Sequence, residues 1–358
     1  MRLRFDPRRL PPLGGYARHG TGLCFFLVYK NGEDDMAVND SARRFAVALI
    51  AVAVLITPAV AEDAPPYWAY PVNPPGLTPS PDDGIARHVP GSSAAFTLAQ
   101  IRDLFAAPDW HPDDHPPMPD SVAFGRKPRL FACGYCHMPH GLGRPENSSL
   151  AGLPVEYIVQ QVADFKSGAR RSSEPNSLPV NFMIMVAKAA ADAEVREAAQ
   201  YFASLPRKPW IKVIETDSVP KTHITGWMLA ANEPREMEPI GARIIEIPED
   251  LERTELRDGR SPFLAYVPMG SIERGKALVM TGAGKTTPCG ICHGEDLRGL
   301  GPIPALAGRS PSYLFRQLYD MQHGMRNGRW MDLMRPVVKA LAQDDMIAIA
   351  AYAASREP

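Results

Sequence analysis

The chain has 358 residues, a formal net charge of −1, and 45% hydrophobic with 8% aromatic residues. That balance suits two globular domains or a little more, and it is too neutral for the basic face a nucleic-acid partner needs. No apolar run reaches the roughly 18 to 20 residues of a membrane-spanning helix, and 37 prolines beside 28 glycines predict much irregular structure.

The first apolar run is FAVALIAVAVLI, Phe45 to Ile56, preceded by Arg43 and Arg44 and followed by Ala59-Val60-Ala61. A basic stub, a short apolar core and a small-x-small site are the parts of a secretory signal peptide. The competing reading, a buried helix or membrane anchor, is opposed by the shortness of the run and by the polar, proline-rich EDAPPYWAYPVNPPG behind it. The 35 residues before Met36 fit no targeting pattern, whereas MAVNDSARR makes a sensible start. Residues 1–61 are therefore expected to be a non-mature N-terminus with its signal at about 36–61, and the protein to be periplasmic. Of five cysteines, Cys24 would then be lost, leaving Cys133, Cys136, Cys289 and Cys292 in an oxidising compartment.

Residues 62–119 form a proline-rich extension. Within it TLAQIRDLFAAP (Thr97 to Pro108) reads as a short helix docking on the domain that begins near residue 120. WHPDDHPPMP clusters His111, Asp113, Asp114 and His115, either as a small metal site or as a proline-stiffened polar loop.

FACGYCHMPHG then sets His137 directly after Cys133 and Cys136, and TPCGICHGEDL repeats the pattern with Cys289, Cys292 and His293. Disulfides leave the two histidines unexplained. A structural zinc site wants four ligands at compact spacing, but the pairs lie 156 residues apart. A redox dithiol needs strand–helix alternation, which surrounds neither pair. CxxCH is the signature of covalent haem attachment, in which two thiols become thioethers and the adjacent histidine ligates iron. Two such units, with no other mature cysteine, select two covalently bound c-type haems. His140, three residues past His137, reads as exposed, with a haem propionate as its other partner.

The repeat runs beyond the motifs. LAGLPVEYIVQQVADFKSGAR (Leu150 to Arg170) aligns with LAGRSPSYLFRQLYDMQHGMR (Leu306 to Arg326) at the same offset of 156, matching Tyr157 with Tyr313, Gln161 with Gln317, Asp164 with Asp320 and Arg170 with Arg326. Each stretch predicts a helix with proline near its first turn and glycine at its end, Ser310 capping the second. FMIMVAKAAADAEVREAAQYFAS then matches LMRPVVKALAQDDMIAIAAYAAS at an offset of 151, placing Met183 on Met334 in a loop before a terminal helix. Upstream, DSVAFGRK resembles GSIERGKA, a short helix whose glycine admits a crossing partner.

Helix with glycine, CxxCH, LAG segment, helix, methionine loop and terminal helix is an order that resembles a class I cytochrome c, and its duplication resembles the tandem dihaem cytochromes c of bacterial periplasms. The resemblance covers about residues 120–205 and 270–356. It implies a mainly α fold: cytochrome c domains at 120–206 and 270–358, separated by a small β-containing insert at 207–269. It implies His137 and His293 as proximal iron ligands, with Met183 and Met334 opposite them, Met185 and Met331 being the alternatives. A methionine ligand raises the potential relative to a second histidine. Family members orient the proximal histidine with a proline carbonyl; Pro304 fits that part for His293, but the aligned residue for His137 is Ser148, with Pro145 three residues earlier. Ala191 and Ala342 replace the usual caps of the terminal helices, leaving that task to Asp192 and to Gln343 or Asp344.

In the insert, IKVIET, HITGWMLA and ARIIEIP read as short strands, with partner docking as the expected role. TGAGKTTP lacks the first glycine of a phosphate loop, having Val279 there. The function these features imply is an exported, soluble dihaem cytochrome that relays single electrons between a protein donor and acceptor, such as a periplasmic dehydrogenase or terminal oxidase. It would have no catalytic residues, no nucleic-acid partner and no membrane span in the mature chain. The alternatives are a dihaem peroxidase or oxidase with one open iron, which needs one methionine to be a decoy, and a cytochrome subunit held permanently by a dehydrogenase.

Overall fold

The structure, a computed structural model, describes residues 64–358; the expected signal segment, Met36 and Cys24 lie outside the described residues. The proline-rich segment runs without regular structure until Thr97, whose side chain accepts from the Gln100 amide at 3.3 Å while Gln100 accepts from the Thr97 amide at 2.8 Å. This reciprocal cap starts α1 (Leu98–Ile101). There follow α2 (Asp120–Ala123), α3 (Cys133–His137), α4 (Val155–Ser167), α5 (Leu178–Ala189) and α6 (Asp192–Ser204). The insert carries β1 (Ile211–Glu215), β2 (Ser218–Pro220), β3 (Thr222–Thr225), β4 (Met228–Ala231), β5 (Met237–Pro239), β6 (Ile245–Pro248), α7 (Leu251–Glu255) and β7 (Phe263–Val267). The helical order then returns as α8 (Ser271–Thr281), α9 (Gly290–His293), α10 (Pro311–Gln322), α11 (Met331–Val338) and α12 (Gln343–Ala354).

The strands fall where β-branched residues crowd. β7 sits between β1, its parallel neighbour, and β6, its antiparallel one; β2 pairs with β5 and β3 with β4. Gly226 and Trp227, both at positive φ, make the two-residue turn between β3 and β4. The insert feeds both copies. Ile245, Val267 and Leu229 join Phe315, Met346 and Ile347 of the second copy in one core, while Phe263 and Met228 join Val122, Ile158 and Phe202 of the first. The N-terminal extension reaches the second copy too: Trp68 packs on Phe315 with ring centroids 4.5 Å apart, and Arg316 donates to the Ala69 carbonyl at 2.8 Å. α1 leads into the first copy, where the Ala132 amide donates to the Leu104 carbonyl at 3.0 Å.

Three details depart from the sequence reading. The segments holding Met183 and Met334 are helices, not loops: neither contains a glycine, the proline of LPVNFMIMVAKA falls in the first turn, where no intrahelical amide bond is lost, and the second helix accommodates Pro336 in its interior. The terminal helices are capped from their third residue: the Glu194 carboxylate accepts from the Ala191 amide at 2.7 Å and Asp345 from Ala342 at 3.0 Å, while Asp192, Gln343 and Asp344 are not used. Gly275 is the crossing point of α8 on α12, where a Cβ would lie 1.9 Å from the Ala348 carbonyl. Its counterpart Gly125 lies past the end of α2, where the backbone turns to pair with residues 105–107: the Ala107 amide donates to the Ala123 carbonyl at 2.9 Å and the Gly125 amide to the Phe105 carbonyl at 2.8 Å.

Candidate functional site

Each CxxCH forms one short helical turn, Cys133–His137 in the first copy and Gly290–His293, with Cys289 just before it, in the second. Nδ1 of His137 lies 2.8 Å from the Ser148 carbonyl, and Nδ1 of His293 lies 2.8 Å from the Pro304 carbonyl. A carbonyl can only accept, so Nδ1 carries the proton in both rings and Nε2 keeps its lone pair. Burial holds both imidazoles below their ordinary pKa, which keeps them neutral. The two rings are thus fixed in the tautomer that ligates a metal. Ser148 does for His137 what Pro304 does for His293, because a backbone carbonyl needs no particular side chain; Pro145 takes no part in this bond.

A cavity of about 220 Å³ opens in front of His137, lined by Cys133, Cys136, Phe182, Met183 and Val186. Met183 therefore faces the same space as the histidine and both thiols, whereas Met185 does not line it. A largely apolar hollow with two thiols, one neutral imidazole nitrogen and a thioether fits a covalently held porphyrin. In the second copy Met334 is half-buried and Met331 is buried. All four cysteines are free of disulfides. Burial pushes the Cys133 thiol up to about 12 and the Cys289 thiol to about 11.

The hollow ends at the other copy. Arg170 Nη2 donates to Tyr313 Oη at 3.0 Å and to Gln317 Oε1 at 2.8 Å, while Arg326 Nη2 donates to Tyr157 Oη at 2.8 Å and to Gln161 Oε1 at 2.9 Å. Each arginine thus reaches across to the tyrosine and glutamine that match its own under the repeat. Each also holds its own copy's glutamine, Arg170 on Gln161 at 2.9 Å and Arg326 on Gln317 at 3.2 Å, and a bridge pairs the two arginine backbones. Burial would raise the Tyr313 hydroxyl, but Arg170 and Arg326 beside it bring it down to about 8. Asp320 accepts from Tyr70 at 2.8 Å and from the Ser173 amide at 2.9 Å, pinning the extension and the first copy together. The matched tyrosines, glutamines and arginines are visible in the repeat; helical periodicity explains their spacing but not their identity.

The remaining polar residues have structural partners. His111 pairs with Asp258 at 2.9 Å, Asp114 with Arg260 at 2.8 Å, and His115 lies 3.2 Å from Asp109, so this segment is a loop and its residues do not converge. Among the described residues no group of three or more His, Cys, Asp or Glu is placed to hold a metal ion. Lys285 of TGAGKTTP pairs with Asp345 at 2.8 Å. His140 is buried, not exposed: its Nδ1 accepts from the Leu142 amide at 3.1 Å, and its ring meets Trp210 at 5.2 Å. Among the described residues no helix is long and apolar enough to cross a membrane.

No family model matches the chain. The thiosulfate dehydrogenase electron acceptor of Stutzerimonas stutzeri is 26% identical over 234 residues, covering 64% of this chain and 82% of that protein. Cytochrome c-554(548) of Halomonas halodenitrificans is 40% identical over 77 residues, 21% of this chain but 93% of that protein. Cytochrome c4 of Azotobacter vinelandii is 33% identical over 84 residues, 22% of this chain and 40% of that protein. A whole small cytochrome is thus contained in part of a chain that presents two CxxCH turns, each with its histidine fixed in the ligating tautomer. The chain belongs to the c-type cytochromes, as a dihaem electron carrier that holds both of its haems covalently.

Proposed function

We propose that His137 with Met183, and His293 with Met334, are the axial ligand pairs, in cytochrome c domains spanning 120–206 and 270–358. When bound, each haem supplies a one-electron Fe(II)/Fe(III) couple. The chain's own part is to present one neutral Nε2 and one soft thioether to each iron, to exclude water with Phe182 and Val186, and to bring the two sites together at the arginine–tyrosine seam. The observation that carries the reading is the matched pair of 2.8 Å bonds from His137 and His293 to carbonyls eleven residues on. The position of Met183 on the wall of the His137 cavity supports the first methionine, and its repeat mate supports the second.

The donor is proposed to be a dehydrogenase outside the cytoplasm, a reading supported by the relative named as a thiosulfate dehydrogenase electron acceptor and by the signal-like segment at 36–61. The insert does not carry a second redox site in this reading. The test is the visible spectrum of the oxidised holoprotein, with haem quantified, in the wild type and in Met183→Ala and Met334→Ala. Two haems per chain are expected, and each variant should lose about half of the methionine-to-ferric charge-transfer band. A full band in either variant, lost instead in Met185→Ala or Met331→Ala, would overturn the assignment.

A further inference from the structure

The two CxxCH turns are alike in sequence but not in surroundings. Tyr135, between the first pair of cysteines, is 6% exposed; Ile291, between the second pair, is 65% exposed. At the same offset Arg144 is 7% exposed and Leu300 61%. Ahead of the methionines, Phe182 is half-buried while its mate Leu333 is 66% exposed.

One segment causes all three differences. Arg257 lies 3.7 Å over the Tyr135 ring and donates to the Tyr135 carbonyl at 2.8 Å. Met228 sulfur lies 3.2 Å from Arg144 Nη2, and the Trp227 ring meets Phe182 edge-on at 6.3 Å. All three covering residues belong to the insert, which packs Ile245 and Val267 into the core of the second copy and Met228 into that of the first. Two of them, Trp227 and Arg257, hold positive φ, a conformation side-chain-bearing residues adopt only under constraint. The insert is thus a strap from the back of the second copy over the face of the first.

The segments that carry these exposed residues are joined. Thr286 Oγ1 donates to the Val337 carbonyl at 2.7 Å, joining the approach to Cys289 to α11, and the Gly299 amide donates to the His293 carbonyl at 2.7 Å, seating the Leu300 turn on the histidine. Ionic groups beside it are largely satisfied by one another: Asp332 with Arg335 at 3.4 Å, Asp296 with Arg298 at 3.9 Å and Lys285 with Asp345 at 2.8 Å. Such a rim asks a partner for little countercharge, and its isolated leucines and isoleucine offer apolar contact.

We propose that redox partners dock on the Ile291–Leu300–Leu333 face, that the strap closes the corresponding face of the first copy, and that the partner is a redox protein meeting it with an uncharged, apolar surface around its own cofactor. Electrons then enter and leave the chain through the second site, and the first exchanges them across the arginine–tyrosine seam. This rests on the electron-carrier function and adds the site through which partners exchange electrons with it.

The experiment is stopped-flow electron exchange between the full holoprotein and azurin, a copper protein whose metal histidine emerges among apolar side chains, with ferricyanide as a small reagent. Leu300→Asp and Leu333→Asp should each slow exchange with azurin by about tenfold or more, with haem content and the ferricyanide rate unchanged. Lys188→Asp, a charge on the exposed side of α5 in the first copy, should change the azurin rate by less than about twofold, and so should raising the salt. Unchanged azurin rates in both leucine variants, or a tenfold loss in Lys188→Asp, would overturn the docking face while leaving the electron carrier intact. Failure of the wild type to exchange with ferricyanide would instead overturn the carrier function itself.

Discussion

Replacing His140 by phenylalanine should flatten one part of the protein's stability–pH profile. The ring is enclosed by Trp210 and by Gly259, where a Cβ would lie 2.4 Å from Nε2, and burial lowers its pKa from 6.5 to about 4. The native state therefore holds His140 neutral, whereas the unfolded chain protonates it below about 6.5. Below that pH the unfolded state binds more protons, so the contribution of this residue is complete above 6.5 and is lost as the pH falls towards 4. The difference amounts to about 1.4 kcal/mol at pH 5.5 and about 2.6 kcal/mol at pH 4.5. Other groups titrate in the same range, so the quantity to measure is the difference between wild type and His140→Phe in urea unfolding of the holoprotein, from pH 7.5 to 4.5. The variant also forfeits the bond from the Leu142 amide, about 1 to 2 kcal/mol, but that loss is independent of pH. Its deficit should shrink steadily as the pH drops. A constant deficit across the range would show that the imidazole takes up its proton in the native state as freely as in the unfolded one, and the enclosure argument would fail.

Two further outcomes rest on the packing. Gly275→Val should destabilise the second copy by on the order of 3 kcal/mol or more, read by far-UV thermal unfolding, because its Cβ would meet the Ala348 carbonyl and backbone cannot yield as a side chain can; an unchanged melt would deny the α8–α12 crossing. Arg170→Met and Arg326→Met should each cost about 2 kcal/mol in denaturant unfolding, but the double variant should cost measurably less than the two together, since both arginines bond to Gln161 and Gln317. Strict additivity would mean the seam is not a shared network.

The parts of the chain that could be read from sequence are those where local chemistry decides. CxxCH is legible because thioether attachment and ligation need three residues at fixed spacing, and the helices are legible because Pro, Gly and apolar periodicity mark them. Reading failed where the deciding bond involves a backbone group or a residue far along the chain. Ala191 and Ala342 look uncapped until the carboxylate three residues on folds back to each amide. Ser148 looks like a broken motif until the acceptor is seen to be backbone. His140 follows a polar turn and reads as exposed, but Trp210 and Gly259, both in the insert, enclose it. The strands of the insert were recognisable from IKVIET and ARIIEIP, yet nothing in Arg257, Met228 or Trp227 states that they cover the first CxxCH.

Symmetry explains what these remote contacts accomplish. A duplicated domain begins with two equal sites, and the seam preserves that equality: Arg170 and Arg326 exchange the same partners, tyrosine for tyrosine and glutamine for glutamine. A relay with two equal ends has no preferred direction. Here the symmetry is broken first at the outer faces, where one inserted segment covers Tyr135 and leaves Ile291 bare. A second break lies at Ser148: the residue that holds His137 by its carbonyl also donates its hydroxyl to the Ser149 carbonyl at 3.2 Å, while Pro304 has no hydroxyl to offer. The Ser149 carbonyl also accepts from Arg309 of the second copy at 2.5 Å, so the segment that supports the first histidine is tied across the seam. The seam that joins the copies as equals is thus also a place where the supports of the two CxxCH histidines differ.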